Sequence, residues 1–497
     1  MNISLLLQMA AEAGPDRVSL VCNGRRWTYS ELYYAALRAA AMFKACDCAY
    51  VALLDESSEA APIALFGAAI AGIPYVPLNY RLADEDLAAL LTRIAPALII
   101  GDDHRASELD PDSGHTRLTR TGFVDQVSGP CREVAEVAET DAEIAAQIFT
   151  SGTTSAPKAA LLKHANLMAY ILGTVEFMSA DERDAALVSV PPYHIAGITA
   201  LMSSIYAMRR IVLLPAFSPE AWLELVTTEK VSNAFLVPTM LQRILLILDQ
   251  DNSVELGSLR SIAYGGGRMP QELIERALEL MPNTGFTNAY GLTETSSTIA
   301  LLGPEDHREA HGSSDPNVRA RITSVGKPLP TIELQIRDDN GAVVPAGEIG
   351  EIYVRGEQVS GEYRERSALD SEAWFPTRDV GWLDKEGYLF LGGRADDVIV
   401  RGGENISPGE IEDVLAAHAA VAESVAVGIP SVEWGEAVGV AITVRTGSET
   451  PSTAELQNLI RERLRSSRVP EKVIVVDALP YNEMGKLLRR EVKTLFN

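Results

Sequence analysis

From Thr28 to about Phe286 the chain repeats one pattern, a short apolar run suited to a strand followed by a longer stretch of helical composition. The runs are Tyr50–Leu54, Tyr75–Leu78, Leu98–Ile100, Ile144–Phe149, Leu187–Val190, Ile211–Leu214 and Asn233–Val237. Parallel strands need a crossover that returns the chain to the same end of the sheet, so this alternation predicts α/β layers with largely parallel sheets. Ser30–Phe43 and Ala83–Ile94 are candidate crossover helices, and Pro270–Met281 opens with Pro at a first helical position. After about Ser324 the texture changes to alternating segments, Thr331–Arg337 and Glu348–Arg355, around the turn Asp338-Asp339-Asn340-Gly341. Short antiparallel strands are expected there. Beyond Gly393, Ser407-Pro408-Gly409-Glu410 reads as a capping box opening a helix Glu410–His418. Strand-like Val421–Val427 and Val438–Val444 and helix-like Thr453–Ser466 complete an α+β unit.

At 497 residues the chain has room for roughly three structural units at about 150 residues each. Its longest apolar region, Ile195–Met208, falls short of the ~20 residues of a spanning helix and reads as a buried one. The start of the chain has no basic segment ahead of its apolar stretch, so no signal peptide is expected and a cytoplasmic location is. Cys22, Cys46, Cys48 and Cys131 have neither paired zinc-ligand spacing nor the density of a disulfide scaffold. The formal charge of −25 argues against a general nucleic-acid or acidic-membrane binder, because phosphate backbones reward clustered Lys and Arg. Any polyanion must therefore meet a local basic or amide-lined pocket.

One such pocket is written between Phe149 and Lys158. Thr150, Ser151, Gly152, Thr153, Thr154, Ser155, Ala156 and Pro157 form a hydroxyl-rich loop between a strand and a helical pattern, closed by Lys158. Small side chains let backbone N–H groups approach phosphate oxygens, hydroxyls donate, and lysine adds positive charge. The spacing is not Gly-x4-Gly-Lys-Ser/Thr, and standing alone the stretch would read as an ordinary turn.

It is followed in order by Asn288-Ala289-Tyr290-Gly291-Leu292-Thr293-Glu294-Thr295, Thr377-Arg378-Asp379-Val380-Gly381-Trp382, Gly393-Arg394-Ala395-Asp396-Asp397 and Gly485-Lys486. Over essentially the whole length this set resembles the acyl-adenylate-forming superfamily of acyl-CoA synthetases, carrier-loading adenylation domains and firefly-type luciferases. The resemblance implies an α/β fold with a large N-terminal domain of layered α/β subdomains plus a small β-barrel-like part, then a small mobile α+β C-terminal domain. The boundaries fall at residues 1–392, a hinge at 393–397, and 398–497.

The resemblance also implies roles. ATP and AMP would be held by Thr150, Ser151, Gly152, Thr153, Thr154 and Lys158, with Tyr290 stacking on adenine beside Gly265, Gly266 and Gly267, and with Asn288, Ala289 and Gly291 alongside. Thr293 would donate to the α-phosphate and Glu294 would offer a hard carboxylate oxygen to Mg²⁺. Asp379 suits the two ribose hydroxyls, with Arg394 as a second contact. Lys486 is the catalytic candidate, a cation bridging a carboxylate and the α-phosphate that would otherwise repel. His194 matches the segment beside the reacting carboxylate, a role that stands evenly against that of a buried structural histidine. The acyl pocket is expected from Tyr193, His194, Ile195, Phe235, Tyr264, Gly265 and Ala289. No acidic residue accompanies this segment to pair with an ammonium, which favours a neutral acyl or aryl tail over an amino acid. Asp396 maps to the hinge, and Arg401, Gly402, Gly403, Glu404 and Trp434 to the coenzyme A side, although packing of the small domain also accounts for Trp434. Arg468 and Lys472 are candidates for the phosphates of coenzyme A or for a solvated helix end. Ser155, Ala159 and Arg378 stand where glycine is usual.

The implied reaction is activation of a small carboxylic acid by ATP to acyl-AMP and pyrophosphate, then transfer to coenzyme A. The alternative acceptor is the phosphopantetheine of an acyl carrier protein, weighed down by the absence of the insertion that fatty-acid members of that group carry. Light-emitting oxygenation would reuse the same adenylation residues and stays open, as does a non-catalytic nucleotide binder. Retention of Lys158, Glu294, Asp379 and Lys486 together speaks against the last. The identity of the acid and the oligomeric state, a homodimer included, are left open.

Overall fold

Two sheets, parallel at their centres, hold most of the chain. The computed structural model describes residues 1–102, 108–109, 114–130, 140–150, 157–250, 254–402, 404–481 and 487–496, with the side chains of Asp396 and Asn405 outside that description. The first sheet has nine strands in the spatial order Lys327–Pro328, Ser297–Leu302, Gly285–Leu292, Ser261–Gly265, Asn233–Leu236, Ala185–Val188, Arg210–Leu213, Val18–Cys22 and Arg25–Thr28. The second has seven: Glu362–Tyr363, Lys158–Lys163, Ile144–Thr150, Tyr75–Pro77, Tyr50–Leu53, Ala97–Ile100 and Thr116–Leu118. Antiparallel pairing is confined to their ends, as between Ile144–Thr150 and Lys158–Lys163. The expected strands are present with ends moved by a residue or two, the ordinary scatter of strand limits.

Two helices packed on each other, Tyr29–Ala45 and Ala60–Ala71, show how local chemistry sets packing. Thr28 caps Tyr29–Ala45 by accepting from the Glu31 amide at 3.1 Å, while the Glu31 carboxylate accepts from the Thr28 amide at 2.8 Å. Its face Ala35, Ala36, Ala39 and Ala40 is fully buried against Ala60–Ala71, a helix apolar on every side. The approach is close enough that a Cβ on Gly67 would lie 2.7 Å from that of Ala39. Burying each large side chain of this core, such as Phe43 or Phe66, contributes about 1.5–3 kcal/mol. The expected buried helix is found as Ile195–Tyr206, and among the described residues no helix is long and apolar enough to cross a membrane.

The small β part is a four-stranded antiparallel sheet, Glu333–Arg337, Gly350–Arg355, Phe375–Leu383 and Leu389–Arg394 in spatial order. A turn through Ala395–Asp397 leads to Ile399–Arg401, the first strand of a separate C-terminal sheet with Glu404–Ile406, Gly435–Val444, Val421–Ser431 and Lys472–Val475. Two local expectations are corrected. Pro270 is the N-cap of Gln271–Leu280, outside the first turn, because its extended ψ of 138° keeps it from the helix. The helix after Ser407 is Pro408–Ala416 and has no capping box, because the Ser407 hydroxyl donates instead to the carbonyl of Gly392. That bond fastens the start of this helix to the strand Leu389–Arg394.

The seam between the two parts is ionic. Arg268 pairs with Glu412 at 3.4 Å and with Asp413, and Arg445 pairs with Glu272 at 3.3 Å. Glu412 is also clasped by Arg489 at 2.5 and 2.8 Å, and Arg489 reaches Asp397 at 3.7 Å. Among the described residues no apolar cluster includes side chains from both sides of residue 397.

Candidate active site

The hairpin of Ile144–Thr150 and Lys158–Lys163 pairs Thr150 with Lys158 and so brackets the hydroxyl-rich loop. Ser151, Gly152, Thr153, Thr154, Ser155 and Ala156 lie outside the described residues, as do Gly403, Gly485 and Lys486. The Lys158 ammonium sits 5.7 Å from the ring centroid of Tyr363.

Strand Gly285–Leu292 delivers Asn288 to Leu292 to the same region and runs into the 3-10 turn Thr293–Thr295. Thr293 is half-buried and Glu294 is 8% exposed. The Tyr363 hydroxyl donates to Glu294 Oε1 at 2.6 Å, and the Glu294 carbonyl accepts from the amides of Ser360 at 2.9 Å and Gly361 at 3.1 Å. Asn288 is partly committed elsewhere, its amide donating to the Ser324 carbonyl at 3.1 Å.

Asp379 comes from the four-stranded sheet. Tyr290 donates to its Oδ2 at 2.6 Å and Arg394, its partner across the strand pair, donates to Oδ1 at 2.9 Å and to the Thr377 carbonyl at 3.2 Å. Thr377 accepts from the Asp379 amide at 3.1 Å and donates to the Ile352 carbonyl at 2.8 Å. Burial, then the Asp379 charge, pushes the Tyr290 phenol well above its usual range, so it stays a donor. Arg378, between Thr377 and Asp379, adopts a φ of +62°, the left-handed region in which glycine is unstrained. Its exposed guanidinium lies 3.6 Å from Glu351.

Gly265 pairs with Ala289 across two parallel strands, and a Cβ there would stand 2.3 Å from the Ala289 carbonyl. Gly266 has φ of +76° and Gly267 lies against Pro238. The glycines thus bring backbone edge to edge where Tyr290 begins. Phe235, half-buried, packs 3.6 Å from the same Cβ position of Gly265. Tyr264 is wholly buried and its hydroxyl bonds His307 Nε2 at 2.7 Å, while His307 Nδ1 bonds the Gly303 carbonyl at 2.7 Å. Its phenol belongs to the core beneath the strand.

Tyr193 and His194 lie on the turn before Ile195–Tyr206, with His194 as N-cap. Their rings touch at 4.7 Å, and Tyr193 meets Tyr80 edge-on at 5.6 Å. His194 Nε2 is buried with no hydrogen-bond partner among the described residues, and burial lowers the imidazole pKa to about 4. A neutral ring with an unspent polar atom is suited to meet a ligand group.

On the small domain, Arg401 donates to the Ser467 carbonyl and pairs with Glu471, both at 2.8 Å, and lies 5.5 Å from the Trp434 ring centroid. Gly402, with φ of +58°, backs onto that ring, which stays 42% exposed. Glu404 is held by Arg468, which also binds Glu410 at 2.9 Å, so Arg468 is engaged inside its own domain. Lys472 donates to the Phe496 carbonyl at 2.9 Å. Asp396 lies in the connecting turn Ala395–Asp397.

Sequence reasoning missed Tyr363, Thr377 and Arg268. No local pattern announces a contact 69 residues apart, such as that of Tyr363 with Glu294.

Comparison with known proteins shows the family. Residues 7–364 match the family model described as AMP-binding enzyme, and residues 410–486 match the AMP-binding enzyme C-terminal domain. The chain is similar to a 2-succinylbenzoate–CoA ligase of Geobacillus kaustophilus (strain HTA426), 32% identical over 98% of this chain and 97% of the relative. It is also similar to the fatty acid–[acyl-carrier-protein] ligase ScoC of Streptomyces coeruleorubidus, 30% identical over 98% and 95%. Among solved structures, o-succinylbenzoate CoA synthetase from Bacillus subtilis in complex with its acyl-adenylate intermediate superposes with a TM-score of 0.82 at 30% identity, covering 98% of this chain and 97% of that one. The same synthetase with ATP and magnesium ion gives 0.82 at 29%, over 98% and 99%.

Proposed function

This chain belongs to the AMP-binding enzyme family, and on that premise we propose how its residues divide the work of an ATP-dependent acid–thiol ligase. In the first half-reaction a carboxylate oxygen attacks the α-phosphorus of ATP, the bond to the β-phosphate oxygen breaks, and acyl-AMP and pyrophosphate form. In the second, the thiol of coenzyme A gives up its proton and attacks the acyl carbon, and AMP leaves with the electrons of the mixed anhydride.

The observation that carries this reading is the placement of Asp379. A buried carboxylate between a phenol and a guanidinium, at the rim where two sheets meet, is a built acceptor for the vicinal hydroxyls of a ribose. From there the phosphates extend toward Thr293, Lys158 and the loop 151–156. The Glu294 carboxylate fits a hard cation, since among the described residues Tyr363 supplies the one direct hydrogen bond to it and Oε2 stays clear. Bound Mg²⁺ would supply positive charge against the phosphate oxygens. Thr293 donates to the α-phosphate, and Lys486 offsets repulsion between carboxylate and phosphate as they meet. His194 presents a neutral imidazole to the acid, with Tyr193, Ile195, Phe235, Gly265 and Ala289 lining its tail. Arg401, Gly402, Gly403, Glu404 and Trp434 face the thiol donor after rotation about Asp396.

The relatives named for 2-succinylbenzoate make that aryl acid the first to try. The deciding experiment is a pyrophosphate-release screen over aryl, polycyclic and fatty acids, with and without coenzyme A, followed by mass detection of the thioester. Release of ADP and phosphate in place of AMP and pyrophosphate would overturn the reading. The likeness to ScoC over nearly its full length keeps a carrier protein as second acceptor, tested by replacing coenzyme A with a phosphopantetheinylated carrier in the same assay.

A further inference from the structure

Tyr363 stands at a junction. Its strand, Glu362–Tyr363, pairs with Lys158–Lys163 through Glu362↔Leu161 and Tyr363↔Ala160, so it is tied to the strand that leaves the hydroxyl-rich loop. Its side chain reaches instead to the 3-10 turn at the end of Gly285–Leu292, where the hydroxyl meets Glu294 Oε1 at 2.6 Å. The turn is fixed from the same segment by the amides of Ser360 and Gly361 on the Glu294 carbonyl, and the Ser360 hydroxyl donates to the Leu161 carbonyl. Gly361 makes the reversal possible, with φ of +57° and a Cβ position 2.4 Å from Leu369. The Lys158 ammonium lies over the ring, 5.7 Å from its centroid and within cation–π reach.

One side chain therefore touches two groups that must act on the same triphosphate from different sheets. Resting on the reading of Glu294 as a metal ligand, we propose that Tyr363 is a positioning residue. Its hydroxyl selects one carboxylate oxygen of Glu294, turning the other toward the Mg²⁺ that accompanies ATP, while its ring holds Lys158 over the phosphates. A carboxylate on a flexible side chain samples several rotamers, and a hydrogen bond to a charged acceptor is strong enough to populate one of them. Burial, then the Glu294 charge, raises the phenol above its ordinary range.

The test measures ATP binding by calorimetry as Mg²⁺ is raised, beside the Mg²⁺ dependence of pyrophosphate release. Tyr363→Phe keeps the ring and removes the hydroxyl. It should raise the Mg²⁺ concentration needed for half-maximal ATP affinity by about 10- to 100-fold, with kcat returning toward the parent value at saturating Mg²⁺. Tyr363→Leu removes the ring as well and should add a loss of ATP affinity that persists at saturating Mg²⁺. Parental Mg²⁺ dependence in Tyr363→Phe, beside a raised requirement in Glu294→Gln, would overturn the positioning role alone. Parental dependence in Glu294→Gln itself would overturn the metal reading and the proposal with it. Unchanged thermal unfolding of Tyr363→Phe keeps a folding defect from imitating the effect.

Discussion

Tyr290 and Asp379 are joined by a 2.6 Å hydrogen bond that links the nine-stranded sheet to the four-stranded one. Arg394 takes the other carboxylate oxygen, yet each oxygen has two lone pairs, so Asp379 can accept ribose hydroxyls without surrendering either partner. Replacing Asp379 with Asn should erase the preference for ATP over its 2′- and 3′-deoxy analogues, measured as the ratio of kcat/KM values in pyrophosphate release. Tyr290→Phe should destabilise the fold by about 1.5–3 kcal/mol, the worth of a hydrogen bond to a charged acceptor, read by urea unfolding. Undiminished discrimination in Asp379→Asn would remove this residue from the ribose site.

Lys486→Ala should slow acyl-adenylate formation by about 10²–10³ in kcat, the usual cost of losing one preorganised donor at developing charge. Thioester formation from supplied acyl-adenylate and coenzyme A should be slowed far less. Equal loss of both half-reactions would contradict a division of labour between two domain postures.

Gly265 has no room for a methyl group, since the Ala289 carbonyl would lie 2.3 Å from it. Gly265→Ala should destabilise the fold by about 1–3 kcal/mol through forced strand separation. It should also raise the KM for ATP by displacing Tyr290 on the adjoining strand. Urea unfolding read beside pyrophosphate-release kinetics checks both.

Three groups contribute to acid stability with opposite signs. His164 and His194 are lowered by burial from 6.5 to about 4, so the unfolded chain binds more protons between those values and stability falls as pH drops through them. Asp55 is raised by burial from 3.8 to about 6 and acts oppositely, binding its proton first in the folded state. Between about pH 4 and 6 these three alone, two losses and one gain, contribute a slope of roughly 1.4 kcal/mol per pH unit. Asp55→Asn should steepen the loss and His164→Asn flatten it, in unfolding free energies measured across pH 4 to 7.

Where the chain obeys a period, the sequence was enough to read it. The strands from Tyr50 to Phe235 and the helix at Ile195 follow from apolar runs alone, and Gly341, with φ of +79°, makes the turn that its Asp338-Asp339-Asn340-Gly341 spelling predicts. Reading failed where a side chain found a distant partner better than its local one. Ser407 bonds Gly392 and caps nothing, and Tyr264 spends its hydroxyl on His307. The hub of the site was legible residue by residue because Glu294, Asp379 and Arg394 each sit in a recognisable run. The contacts between those runs were not, since pairing of Tyr290 with Asp379 depends on how two sheets meet.

Dissolved salt should weaken the ionic seam between the two parts of the chain. Arg268 follows the glycine run directly and pairs with Asp413, and Arg445, one residue past the strand Gly435–Val444, pairs with Glu272; exposed pairs of this kind weaken as the Debye length shrinks from ~10 Å at 0.1 M to ~3 Å at 1 M. Among the described residues no apolar cluster spans the seam, so salt should act directly on the contacts that join the two parts. An enzyme that must release one leaving group before admitting a bulky second reactant gains turnover from a grip that electrolytes can loosen.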